Sequence, residues 1–597
     1  MADMQAMQKP QESEEARRSL AGFATPRIAA EAQPDGSTIL RSLEPLQPYA
    51  RSITERLAYW AAREPSRPFI AERSGAGWRR LSYGEALQMI EAIAASLLSR
   101  DLGPERPIMV VADAGVDHAL LALAAMHVGI PVSPISPAYA RLSQDFGKLR
   151  FVFEALTPGL IYVQNAAAME KPLTALDAKG IEVISSAASP GATDFDDLLK
   201  GRPGGQVAAA HGNVGPDTIA KILFTSGSTG MPKGVINTQR MLCSNQQAIL
   251  QIWPFIGERP PVLLDWLPWN HTFGGNHNFN IAVYNGGAFY IDDGRPLPAM
   301  IGRTVENLRL VQPTVYFNVP RGYGLLLDEL ERDSDVAHRF FKNLDFIFYA
   351  AAPLPQSLWT RIEALCKAAG APDLPMISSW GTTETAPMST SVHYRIERAG
   401  NIGVPVPGVE IKLAPVDGKA EIRVRGPNVT PGYWRSPESA AKGFDADGWY
   451  RSGDAVVYAE PGRPERGLVF DGRIGENFKL TSGTWVNVGT LRTAVVAAMT
   501  PLVDDAVVTG HGRDTVGLLL FANIANCRKL CPDLGDGAPE AVLAAPAVRE
   551  AIRAALMRHN ELEPASSTRI ARALLMAEPP TIDAHEITDK GYINQRA

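Results

Sequence analysis

Cysteine is scarce, with four residues in a chain of 597. That count excludes a disulfide framework as the source of stability. Cys527 and Cys531 stand four apart, but no histidine or further cysteine lies nearby to complete a zinc site. The chain therefore reads as a protein of a reducing cytoplasm. A surplus of one charge sign is lacking too: 58 basic and 64 acidic residues leave a net charge of -6. Nothing in that balance selects nucleic acid or an anionic membrane as a partner. Long apolar runs are also missing. The longest, Ala119 to Met126, is broken by His127, Gly129 and Pro131 and is too short to span a bilayer. The amino-terminal MADMQAMQKPQESEEARR has no stretch of signal-peptide type.

What is present fits a soluble globular enzyme, with 45% hydrophobic and 20% charged residues. At about 150 residues per domain the length implies two to four units. Residues 1–36 read as a flexible leader. From Ser52 to Asp101 the pattern is helical, and YGEALQMIEAIAASLLSR is its clearest amphipathic segment. Then PIMVVADAG reads as a buried strand and turn, HALLALAAMHVG as a helix and IPVSPIS as the next strand. The alternation returns at 160–163, 181–185, 221–227, 345–353 and 376–380, which predicts α/β units around a mostly parallel sheet. After about Asn401 the pieces EIKLA and EIRVRG, set between Gly and Pro turns, predict a smaller β-rich unit. A short α+β segment follows DGRIGENFKL. The predicted division is a domain over 37–473 and a small mobile lid over 474–597.

The most informative segment is ILFTSGSTGMPKGV, from Ile222 to Val235. An apolar strand runs into Thr225, Ser226, Gly227, Ser228, Thr229 and Gly230, then Pro232, Lys233 and Gly234. Small residues let the backbone bend and turn N–H groups toward an anion, hydroxyls add donors, and Lys233 adds positive charge. The spacing is not that of a Walker A loop, which needs Gly-x4-Gly-Lys-Ser/Thr. A plain Gly/Ser linker would not sit directly behind a buried strand and end in Pro-Lys-Gly.

TSGSTGMPKG resembles the signature phosphate loop of the adenylate-forming superfamily, which holds acyl- and aryl-CoA synthetases, carrier-protein adenylation domains and luciferases. Further motifs follow in the family's order over most of the chain. The turn Ala350, Ala351, Ala352 and Pro353 after Tyr349 resembles the family's adenine-packing turn, with Ala in place of the usual Gly. Trp380-Gly381-Thr382-Thr383-Glu384 resembles the motif whose Thr contacts the α-phosphate and whose Glu holds Mg²⁺, which assigns Thr383 and Glu384. One carboxylate plus phosphate oxygens suits that hard ion. Asp454, in Tyr-Arg-Ser-Gly-Asp, resembles the acceptor of the ribose hydroxyls, and Arg473 opens the motif of the interdomain hinge and reaches the ribose. His271 resembles the family's position between acid and adenylate. Lys590 looks like the catalytic lysine that neutralises charge as the carboxylate attacks phosphorus. Lys479 and the loop Ser482–Trp485 are assigned to the second, thiol-using conformation. Gly475 departs from the family, whose hinge carries Asp or Lys there. Asp589 and Gly591 flank Lys590 where the family has Thr/Ser-Gly before the lysine.

The resemblance implies an acid–CoA ligase using ATP, Mg²⁺ and coenzyme A, which makes an acyl-AMP and then a thioester. A homodimer is compatible with it. The segments WLPWNHTFGGNHNFN, SGTWVNVG and EITDKGYINQ resemble bacterial feruloyl-CoA synthetases of phenylpropanoid degradation, so ferulate or a related hydroxycinnamate is the expected acid. The rivals are a medium- or long-chain fatty acyl-CoA synthetase and, from another class, a non-catalytic nucleotide-binding regulator. Retention of Lys233, Glu384, Asp454, Arg473 and Lys590 weighs against the last.

Overall fold

A computed structural model describes residues 20–226, 231–371, 374–588 and 593–597. Strand Ile108–Val111 is buried along its whole length and pairs in parallel with Val132–Pro134 on one side and Leu160–Asn165 on the other. Such continuous apolar strands need helices on both faces. The helix Val116–His127 supplies one cover and is itself buried almost throughout. Helix Tyr83–Leu98 packs beside it. It begins at Ser82, where Ser82 Oγ accepts the Glu85 N–H at 3.3 Å and the Glu85 carboxylate accepts the Ser82 N–H at 2.8 Å. This reciprocal cap satisfies two otherwise orphaned donors and fixes where the helix starts.

The seven-stranded sheet built on these strands ends at one edge in an antiparallel pair, Ile219–Ser226 and Pro232–Thr238. A second sheet has eleven strands. It runs from Ile28–Ala32 at one edge, through Glu410–Val416, Tyr450–Tyr458 and Leu468–Arg473, to Phe346–Tyr349 and Val315–Asn318 at the other. A four-stranded sheet joins Val262–Asp265 and Ala288–Ile291 to Pro68–Ser74 and Gly77–Ser82. Residues 478–576 gather round their own core, where Val495, Met499, Val508, Leu520, Val548 and Ile552 meet beneath the sheet of Val503–Thr509, Val516–Ala522 and Ile570–Met576. Among the described residues no helix is long and apolar enough to cross a membrane.

Three expectations are corrected. The helical pattern over Ser52–Asp101 is interrupted by the hairpin Pro68–Ser74 and Gly77–Ser82, because Phe69, Ile70 and Ala71 are buried where this strand meets Phe289 and Tyr290 in a distant strand. The leader is not irregular to residue 36: Leu20 is buried, and Ile28–Ala32 pairs with Thr38–Ser42. The strands after Asn401 do not close a separate small sheet. Asn401–Pro405 pairs with Met388–Ser391, which pairs with Met376–Gly381, so one hydrogen-bonded surface runs from the parallel strands into the antiparallel ones.

Candidate active site

The phosphate-loop residues Gly227, Ser228, Thr229 and Gly230 lie outside the described residues, but both strands that carry the loop are described. Their register sets Thr225 opposite Lys233, Leu223 opposite Val235 and Lys221 opposite Asn237. Residues paired across antiparallel strands point to one face, so Thr225 and Lys233 share the face that also carries Lys221 and Asn237. Ser226 ends its strand opposite Pro232. Both strands lie at the edge of the seven-stranded sheet.

Tyr433 and Trp434 run against this edge. Trp434 donates its backbone N–H to Gly234 O at 2.7 Å, and its indole N–H bonds Ala155 O at 3.2 Å. Tyr433 then stands between two of the expected site residues. Its hydroxyl donates to Glu384 Oε1 at 2.9 Å, and Lys233 Nζ lies 6.0 Å from its ring centre. Burial, reinforced by the Glu384 charge, pushes the phenol far above its ordinary range, so it keeps the proton that it donates to Glu384. Tyr433 was missed in the sequence. Its one signal is its place in Pro-Gly-Tyr-Trp, a turn beside the phosphate strand that only the fold reveals.

Thr382, Thr383 and Glu384 follow strand Met376–Gly381 in a single tight turn. The Thr382 N–H donates to Thr385 Oγ1 at 2.9 Å, and Thr385 N–H returns to Thr382 O at 3.0 Å. Gly381 is required here, because a Cβ would stand 1.6 Å from Pro387 O. Thr383 and Glu384 are both buried, and the Thr430 N–H bonds Glu384 O at 2.8 Å. Among the described residues no group of three or more His, Cys, Asp and Glu gathers as a metal cage. A lone carboxylate beside a phosphate loop is nevertheless the donor set Mg²⁺ takes when phosphate oxygens supply the rest.

Asp454 and Arg473 face each other across paired strands, with Arg473 Nε 3.4 Å from Asp454 Oδ1. Trp380 donates its indole N–H to Asp454 Oδ2 at 2.9 Å. The carboxyl is buried, which pushes it above its ordinary range, while Arg473 and Trp380 pull it back. Asp454 in turn raises the Arg473 guanidinium. Asp454 Oδ1 has no hydrogen-bond donor although buried. A buried carboxylate oxygen ion-paired with Arg473 but accepting no hydrogen bond fits the vicinal diol of a ribose, which would supply a donor.

The turn Ala350–Pro353 follows strand Phe346–Tyr349, and Ala351 adopts φ +71°, the left-handed region that favours glycine. His271 Nδ1 accepts the Phe273 N–H at 3.4 Å at the start of a buried π-helix, Phe273–Asn278. Lys479 stands with its Nζ 4.8 Å from the Trp485 ring, in the hairpin Phe478–Lys479 and Trp485–Val486 after Arg473. Lys590 lies outside the described residues. Lys221 was also missed. It is buried, and its Nζ donates to Gly275 O at 2.8 Å and Asn276 Oδ1 at 3.2 Å.

A model of the AMP-binding enzyme family matches residues 57–434. The chain belongs to that family. It is 28% identical over 456 residues to an anthranilate–CoA ligase of Pseudomonas aeruginosa, covering 72% of this chain and 79% of the relative. It is 27% identical over 514 residues to a 4-chlorobenzoate–CoA ligase of an Arthrobacter species, covering 81% of this chain and 88% of the relative. The fold is that of O-succinylbenzoate–CoA synthetase from Bacillus subtilis in complex with AMP, at a TM-score of 0.68 and 16% identity, over 92% of this chain and 98% of that one. The reaction class is AMP-forming acid–CoA ligation through an acyl-adenylate, with ATP, its usual Mg²⁺ and coenzyme A as co-substrate.

Proposed function

We propose that this enzyme acts on an aromatic acid, with ferulate or a related hydroxycinnamate as substrate, as feruloyl-CoA synthetases do. The observation that carries the reading is the wall of aromatic and amide side chains over Trp266–Asn278, which packs on the strand before the adenine turn: the ring of Phe273 lies 5.6 Å, and that of His277 5.3 Å, from Phe348, two residues before Ala350. An acid bound between them would place its ring on aromatic faces and its carboxylate toward the phosphate loop. The two benzoate-type relatives add support, since both names are of aryl acids.

In the first half-reaction the acid carboxylate oxygen attacks the α-phosphorus of ATP and pyrophosphate leaves. Lys233 and the loop 225–230 hold the phosphates, Thr383 holds the α-phosphate, and Lys590 neutralises the developing charge. Glu384 would hold Mg²⁺, which would supply charge neutralisation on the phosphate oxygens. Tyr433 orients Glu384 for this through its hydroxyl. Asp454 and Arg473 fix the ribose, Ala350–Pro353 packs on adenine, and His271 divides acid from adenylate. In the second half-reaction the region 474–597 turns against 37–473 about Arg473–Gly475, brings Lys479 and the Ser482–Trp485 loop to the site, and the thiol of coenzyme A displaces AMP. The test is pyrophosphate release from Mg·ATP with single acids. Release with ferulate and 4-coumarate is expected. Release with octanoate or palmitate alone would replace the aryl reading with the fatty-acid one.

A further inference from the structure

The segment Phe273–Asn278 is buried and wound as a π-helix, a geometry found often at functional sites. Two glycines draw it against the preceding chain. A Cβ on Gly274 would meet Leu267 O at 2.6 Å, and one on Gly275 would meet Trp269 O at 2.4 Å. All six residues of this segment are buried, and His277 among them is 1% exposed.

Its tautomer is fixed by a relay. Asn278 Nδ2 donates to Asp265 Oδ2 at 2.8 Å, and the other Asp265 oxygen accepts the Leu267 N–H at 3.0 Å. With its NH₂ committed to the carboxylate, Asn278 presents its amide oxygen to the imidazole, 2.8 Å from His277 Nδ1. Nδ1 must therefore carry the proton. Burial lowers the His277 pKa to about 4, so the ring is neutral and Nε2 keeps its lone pair. That Nε2 is buried without a hydrogen-bond partner. Phe317 and Phe348 have ring centres 5.3 Å from the imidazole, Phe273 5.7 Å and Trp253 6.0 Å. A bare acceptor is thus enclosed by aromatic rings, next to the strand that leads into the adenine turn. Buried acceptors of this kind are costly unless something donates to them.

We propose that His277 determines specificity in the acid pocket: its Nε2 accepts the phenolic O–H of a hydroxylated aromatic acid whose ring lies among Phe273, Phe317 and Phe348. The inference rests on the aryl-acid reading above and adds to it a requirement for a proton donor on the ring. Asp265 and Asn278 act through His277 by holding its tautomer; no proton is transferred. The rings close over the imidazole in this structure, so acid entry includes their turning aside. A methoxy group at the same ring position carries no proton and leaves Nε2 unpaired.

The test compares kcat/KM for 4-coumarate and cinnamate in the wild-type enzyme and in His277→Leu. The wild type is expected to prefer 4-coumarate by about tenfold or more, and the variant to lose that preference, so that the ratio of the two kcat/KM values falls to about one. A preference that survives in His277→Leu overturns the proposal. Should the variant fail to fold, the wild type alone decides: 4-coumarate turned over about tenfold better than 4-methoxycinnamate supports the assignment, and equal turnover overturns it. If aryl acids are activated without regard to the hydroxyl, only this inference falls. If no aryl acid is activated while fatty acids are, the parent reading falls with it.

Discussion

At the smallest scale two titratable residues, Lys221 and Asp454, are buried. Lys221 has uncharged acceptors, Gly275 O and Asn276 Oδ1, and Asn276 Nδ2 donates in turn to Asn237 Oδ1 at 2.7 Å. Since Lys221 and Asn237 share a hairpin face with Thr225 and Lys233, this group ties the π-helix Phe273–Asn278 to the hairpin Ile219–Ser226 and Pro232–Thr238. Burial lowers the lysine from an ordinary value of 10.5 to about 7. Between pH 7 and the ordinary lysine range the unfolded chain therefore holds a proton that folded Lys221 has released, and this residue's contribution to stability rises with pH. The wild type is expected to gain about 1 kcal/mol over Lys221→Met between pH 7 and 8, read from denaturant midpoints at both values. A constant difference would mean that Lys221 does not titrate there. Asp454→Asn removes the charge facing Arg473 and weakens the acceptor offered to the ribose. A rise of about tenfold in the KM for ATP is expected, with the KM for the acid unchanged.

Among the elements, turns made by small residues decide the shape of the site. Gly381→Ala would drive a Cβ into Pro387 O at 1.6 Å, on a backbone also fixed by the Thr382–Thr385 exchange. A loss of about 2–3 kcal/mol in stability, with loss of pyrophosphate release, is expected by denaturation and single-acid assays. Ala351 presents the opposite case. It holds φ +71° in an exposed turn, so Ala351→Gly is expected to stabilise by about 1 kcal/mol. The elements were legible in proportion to how local their causes are. The phosphate strand, helix Tyr83–Leu98 and the strands Leu160–Asn165 and Glu410–Val416 carry their own periodicity, caps and turns. Strand Pro68–Ser74 does not, because its pairing partner lies at Phe289 and Tyr290. The same holds within the site. Thr383, Glu384 and Asp454 stand in recognisable strings, whereas Tyr433, Trp380 and Lys221 gain their meaning only from partners that folding brings near.

At the scale of the molecule, the carboxy-terminal segment returns to the sheet that bears the phosphate hairpin. Ile582 is buried in one cluster with Ile222, Phe224 and Trp434. Asp583 accepts the Ser143 hydroxyl at 2.6 Å and the Gln144 N–H at 2.8 Å, while Lys148 Nζ bonds Ile582 O at 2.9 Å. Burial opposes ionisation of Asp583, but these donors outweigh it and hold the carboxyl below its ordinary range. A depressed carboxyl stabilises above its unfolded value and loses that contribution as pH falls. Asp583→Ala is expected to slow pyrophosphate release more than thioester formation from supplied acyl-AMP; equal slowing of both steps would show a general loss of stability instead. No string in the sequence announces this contact, since its partners lie 440 residues apart.

The most direct measurement follows AMP by chromatography and acyl-CoA by ultraviolet absorbance after the protein is mixed with Mg·ATP, coenzyme A and ferulate. AMP and feruloyl-CoA forming in equal amounts is the expected result. ADP in place of AMP, or AMP with palmitate and none with ferulate, would contradict aryl-acid ligation through an adenylate.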